Sequence, residues 1–100
     1  MKKFKKYDIL EITWIDSHSG SGWHSPKEKE NFIGDAKSNF TIKTLGYYFH
    51  EDKDFIRVAQ GFDNQSISEG RNEDNLDSLM AVAKPCIRDI KVIRYAQKRI

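Results

Sequence analysis

Between Tyr7 and Asp16 apolar and polar positions alternate, so that Leu10, Ile12 and Trp14 share one face, with Asp8 and Asp16 at its limits. That period of two predicts a half-buried first strand. Ser17-His18-Ser19-Gly20-Ser21-Gly22 ends it with small polar residues that favour a loop. Ser25-Pro26-Lys27-Glu28 then predicts a helix start: the Ser25 hydroxyl can accept the Glu28 amide, Glu28 can reach back, and Pro26 sits where no amide is needed. Phe32 and Ile33 supply a small apolar face, and Gly34 or Lys37-Ser38-Asn39 ends the helix within three turns.

Two strands follow, over Phe40 to His50 and Phe55 to Phe62, both rich in aromatic and β-branched residues, with Glu51-Asp52-Lys53-Asp54 as the hairpin turn between them. Gly46, inside the first of these, predicts a sharp bend of the kind found at a barrel corner. Asp63 to Asp77 holds almost no apolar side chain and reads as an exposed loop. Ser78 to Lys84 and Ile87 to Tyr95 are two further strands, and Pro85 between them forces a tight corner. The expected architecture is mostly β: one domain over residues 1–100, a small, strongly bent, five-stranded antiparallel β-barrel with one short helix.

Composition agrees with a folded chain, because 38% hydrophobic residues and 12% aromatics suffice for one compact core. The lone Cys86 cannot form an internal disulfide, which points to a reducing, cytoplasmic setting. The opening lysines resemble the basic end of a signal peptide, but Asp8 and Glu11 interrupt the apolar run that would have to follow. No stretch of about 18 apolar residues is present, so no membrane partner is expected.

Charge is uneven. Residues 1–6 and 84–100 together hold ten basic groups and one acid, or +9, whereas residues 7–83 hold seven basic and fourteen acidic residues, or −7. If the two ends meet in space they form a basic patch suited to a polyanion.

The stretch Gly46-Tyr47-Tyr48-Phe49-His50-Glu51-Asp52-Lys53-Asp54-Phe55-Ile56-Arg57-Val58 resembles the first Sm motif, with Asp52 on its turn aspartate. Leu79 to Ile90 resembles the second motif: an apolar strand, a tight corner, then isoleucines three apart at Ile87 and Ile90. The resemblance to Sm-like proteins covers residues 46–90. It departs at Ile56, where the family has an asparagine, and at Lys84-Pro85-Cys86, where it has arginine and glycine, so no uracil preference is implied. The helix falls after the first strand rather than before it, which leaves two readings, an inserted helix or a strand count off by one. Trp14-Ile15-Asp16-Ser17, the later Gly22-Trp23 and the Cys86-Ile87 corner are also similar to small phage-encoded proteins. The Sm resemblance implies RNA binding by a closed ring of about five to seven identical subunits, the fourth strand of one pairing with the fifth of the next and Val82 and Ile90 near that seam.

Candidate chemistry adds no catalyst. Asp16-Ser17-His18 holds the residue types of a hydrolase triad, but such triads are assembled from separated positions, and the segment reads as the polar start of a loop. His18, His24, His50 and Cys86 lack zinc-ligand spacing, Ser19 to Gly22 lacks the Gly-Lys-Ser/Thr ending of a phosphate loop, and Cys86 reads as a packed corner residue despite nearby Lys84 and Arg88. No metal or cofactor is expected. In the run Tyr47-Tyr48-Phe49-His50 alternate members face opposite sides, so an exposed pair is available to stack on bases. The expected nucleic-acid contacts are Tyr48, His50, Asp52, Lys53, Lys84 and Arg88, with single-stranded RNA as partner. The competing expectation is a protein-interaction adaptor of phage origin using the same barrel.

Overall fold

The computed structural model describes residues 3–16, 22–38, 41–63 and 74–97, with backbone alone at 35–38. Five strands form one antiparallel sheet: β1 (Ile9–Ile15), β2 (Thr41–Glu51), β3 (Phe55–Phe62), β4 (Leu76–Ala83) and β5 (Ile87–Arg94), ordered β4-β3-β2-β1-β5. One helix, α1 (Pro26–Ser38), lies between β1 and β2, and a 3-10 turn over Lys84–Cys86 carries β4 into β5 around Pro85. Among the described residues the strand count is therefore five, with the helix inside the sheet's chain order. The sheet is open: β4 and β5 are its two edges and are not hydrogen-bonded to each other, so the closed barrel expected from the sequence is not seen.

The alternation in β1 sets the core. Leu10 and Ile12 are fully buried with Ile56, Val58 and Val82, and Phe4, Trp14, Tyr48, Ile87, Ile90 and Val92 pack around them. Burying each aliphatic side chain contributes about 1.5–3 kcal/mol. Trp14 keeps its indole N–H satisfied by donating to Thr44 Oγ1 at 2.9 Å. Val82, expected near a subunit seam, turns its side chain into this core instead, because it stands opposite Ile56 on the apolar face.

β2 pairs with β1 from Thr41 to Tyr47 and with β3 from Tyr47 to Glu51. Gly46 sits at this handover. A Cβ there would lie 2.9 Å from Val58 Cβ and 3.0 Å from the Ala59 carbonyl oxygen, so the glycine is required by close approach of β3.

The helix start follows its sequence signature. The Glu28 amide donates to Ser25 Oγ at 3.2 Å, while the Ser25 hydroxyl itself, rather than its amide, donates to Glu28 Oε1 at 3.3 Å. Thirteen residues carry α1 through Gly34 to Ser38, slightly beyond the expected three turns. Its described side chains, residues 26–34, are all exposed.

Phe40, Ser17 to Ser21 and residues 64–73 lie outside the described residues. β4 begins at Leu76, two residues before the expected start, and Ser78 takes a left-handed backbone (φ 52°) within it. Asp74 corrects the reading of 63–77 as wholly exposed: it is buried and accepts the Tyr7 hydroxyl at 2.9 Å, the polar partner that a buried tyrosine requires.

Candidate nucleic-acid interface

The β2–β3 turn and the β4–β5 corner meet. The Lys84 amide donates to the Asp54 carbonyl at 2.8 Å. Lys84 Nζ lies 2.8 Å from Glu51 Oε2, and the Tyr48 hydroxyl donates to Glu51 Oε1 at 3.1 Å. Glu51, absent from the sequence-derived set, thus gathers Tyr48 and Lys84 while compensating the lysine charge. Burial and then the Glu51 carboxylate push the Tyr48 pKa up. Its ring packs on the core and against Phe4, centroids 5.6 Å apart. Beside this cluster Phe4, Ile56, Ile87 and Ile90, together with Glu51, Lys84 and Asp89, line a groove of about 380 Å³.

Asp52 builds the turn. Its Oδ1 accepts the amides of Asp54 and Phe55 at 2.9 and 2.8 Å, and its Oδ2 accepts Arg57 Nη1 at 2.8 Å. The Arg57 hydrogen bond, followed by those two amides, lowers its carboxyl to about 2 from 3.8. This carboxylate is ionised and committed to the hairpin. His50 is exposed with Nδ1 3.2 Å from the same guanidinium nitrogen, and Lys53 is exposed at the turn tip. Arg88, also exposed, folds back to donate to the Pro85 and Ile87 carbonyls at 3.1 and 3.4 Å.

A second convergence forms where the chain ends meet. Asp8 is 2% exposed, and its carboxylate accepts the Lys5 amide at 2.9 Å and the Ala96 amide at 2.8 Å. Its main chain continues the sheet, with the Asp8 carbonyl accepting the Tyr48 amide at 2.8 Å. One buried side chain therefore joins the lysine-bearing N-terminal segment to the residues that follow β5, and Lys3, Lys5, Lys6 and Arg94 are exposed.

Next to this clamp is an aromatic assembly that the sequence-derived set omits. Tyr7 holds an uncommon left-handed backbone (φ 74°) and donates its amide to the Tyr48 carbonyl at 2.7 Å. Its ring stacks on Phe62 with centroids 4.0 Å apart and planes 1° from parallel, and Tyr47 meets Phe62 edge-on at 5.0 Å. Lys6 Nζ lies 5.3 Å from the Tyr7 ring centroid. These rings, with Arg94, Tyr95 and Gln97, line a pocket of about 220 Å³. The sequence signal for it was Tyr47: its alternation with Tyr48 sends one ring to each side of β2, and its cross-strand neighbour Ile9 stands opposite Arg94.

Among the described residues no three His, Cys, Asp or Glu groups gather as metal ligands, and His24 is engaged with Glu28 at 3.3 Å. His18 and Ser17 of the triad-like segment lie outside the described residues. No described helix is long and apolar enough to cross a membrane. No known protein family, curated protein or solved structure matches the chain.

Proposed function

We propose that this chain is a non-enzymatic binder of single-stranded nucleic acid, RNA foremost, working as an Sm-like ring of about five to seven identical subunits, each contributing its open five-stranded sheet. The observation that carries the reading is the Asp8 clamp, which brings the N-terminal lysines and Arg94 of β5 beside an aromatic-lined pocket. Cations that track a backbone next to rings that accept bases are the two parts of a single-strand site. The six sequence-derived contacts contribute through His50, Lys53 and Arg88, which are exposed, while Tyr48, Asp52 and Lys84 hold the hairpin and corner together.

The test is fluorescence anisotropy of labelled single-stranded RNA and DNA across a salt series. Affinity should fall with salt by a slope of about −0.7 per phosphate contact, and the Lys5→Ala/Lys6→Ala/Arg94→Ala triple variant should flatten that slope by about two. Binding without salt dependence, or no binding at low salt, overturns the reading.

The ring is supported by the free edges. β4 and β5 are paired on one side only among the described residues, and they carry exposed Leu79 (64%) and Ile93 (54%), a combination that favours pairing with another copy. Light scattering at micromolar concentration should give several subunits per particle, and Leu79→Lys with Ile93→Lys should give monomers. A monomeric parent protein removes the ring.

The groove of Phe4, Ile56, Ile87 and Ile90 beside the β5 edge favours a second reading, an adaptor that takes a partner peptide as an added strand. Loss of all nucleic-acid binding with retention of a peptide partner would select it.

A further inference from the structure

The pocket beside the Asp8 clamp, at about 220 Å³, is smaller than the roughly 300–1,000 Å³ that encloses a drug-sized ligand. It has room for a ring-sized group. Its floor is already packed: Tyr7 is fixed by its hydroxyl bond to Asp74 and by stacking on Phe62, and Tyr47 braces Phe62 edge-on. Its rim is open, since Tyr95 is 73% exposed and Arg94 and Gln97 are exposed too. The site therefore offers a packed aromatic base, an exposed aromatic side chain at its rim, and guanidinium and amide groups able to meet ring nitrogens and carbonyls.

Charge decides which ring belongs there. An aromatic peptide side chain brings no anion, whereas a nucleotide brings its phosphate within the field of Arg94 and of the lysines around Asp8. We infer that this pocket takes one unstacked base of a single strand, with Tyr95 closing over it and Arg94 and Gln97 facing its edge. A base held inside a duplex cannot enter, so the pocket makes the protein a reader of single strands rather than of duplex.

This inference rests on the nucleic-acid reading above, and its test separates the two. Oligomers carrying 2-aminopurine, single-stranded and as a duplex, are titrated into the parent protein, Tyr95→Ala and Tyr95→Phe. The parent should quench the single strand and bind it more tightly than the duplex. Tyr95→Ala should lose about 5- to 100-fold in single-strand affinity with the salt slope and the duplex affinity unchanged, and Tyr95→Phe should retain binding. Circular dichroism of each variant checks that the sheet is intact. Salt-dependent binding that Tyr95→Ala leaves untouched overturns the pocket and spares the nucleic-acid reading. No oligomer bound at low salt overturns both, as does saturable binding of a tryptophan-containing peptide in place of the oligomers.

Discussion

Asp8→Ala is expected to destabilise the protein by about 1–3 kcal/mol, because it removes the buried carboxylate that accepts the partly buried Lys5 and Ala96 amides. Each buried donor left unsatisfied costs about 1–3 kcal/mol. Asp8→Asn should cost less but not nothing, since the carboxamide keeps one acceptor and turns an N–H toward an amide that also donates. Urea unfolding reads both, as a fall in midpoint at unchanged slope. The same substitution should release the N-terminal lysines from the chain that follows Arg94, so oligonucleotide affinity should fall in Asp8→Ala even at temperatures where the sheet stays folded. A parent-like midpoint would mean that water replaces the carboxylate and that Asp8 is no clamp.

Gly46→Val should be comparably severe. The new Cβ falls 2.9 Å from Val58 Cβ and 3.0 Å from a main-chain oxygen, neither of which can swing aside as a flexible side-chain end would. Forcing extra carbon into packed space costs about 1–3 kcal/mol, and more in the occasional case. Against the roughly 5–15 kcal/mol that holds an ordinary domain together, that is a large fraction. Thermal melting should show it as a marked drop, whereas Gly34→Ala, a helix-favouring change at an exposed position of α1, should hold or raise the midpoint. A small effect would show that β3 slides away from β2 at little cost and that the handover does not depend on glycine.

Much of the fold was legible because its signals are local. The alternation of Leu10, Ile12 and Trp14, the Ser25-Pro26 helix start, the Asp52 turn and the Pro85 corner each act within a few residues, and all appear where the sequence places them. Asp74 was illegible because its burial depends on Tyr7, 67 residues away, whose hydroxyl needs an acceptor. Barrel closure was equally beyond reach, since pairing between edge strands is not encoded in the pattern of either one. The candidate site shows the same division. The run Tyr47 to His50 advertised aromatic chemistry, but only the register of β2 against β1 and β3 decides that Tyr48 joins the core while Tyr47 reaches the pocket. Glu51 and Asp8 carried no motif. Their roles come from what the fold brings to them.

The sheet order has a consequence for how the chain reaches its native state. β1, the first strand to appear, lies between β2 and β5, and its partners in β5 are 73 to 85 residues further along, from Trp14↔Ile87 to Ile9↔Arg94. Its flank toward β5 stays unpaired until nearly the whole chain is available, and the β2 side must first close a loop containing α1. Contacts of such separation make folding slow relative to a chain of local hairpins, because loop entropy is lost before the contacts form. The β2–β3 hairpin, tied by Asp52 across three residues, needs no such wait. The opening strand of the chain is thus among the last to be enclosed, and the Asp8 carboxylate gains its Ala96 amide only when β5 has docked.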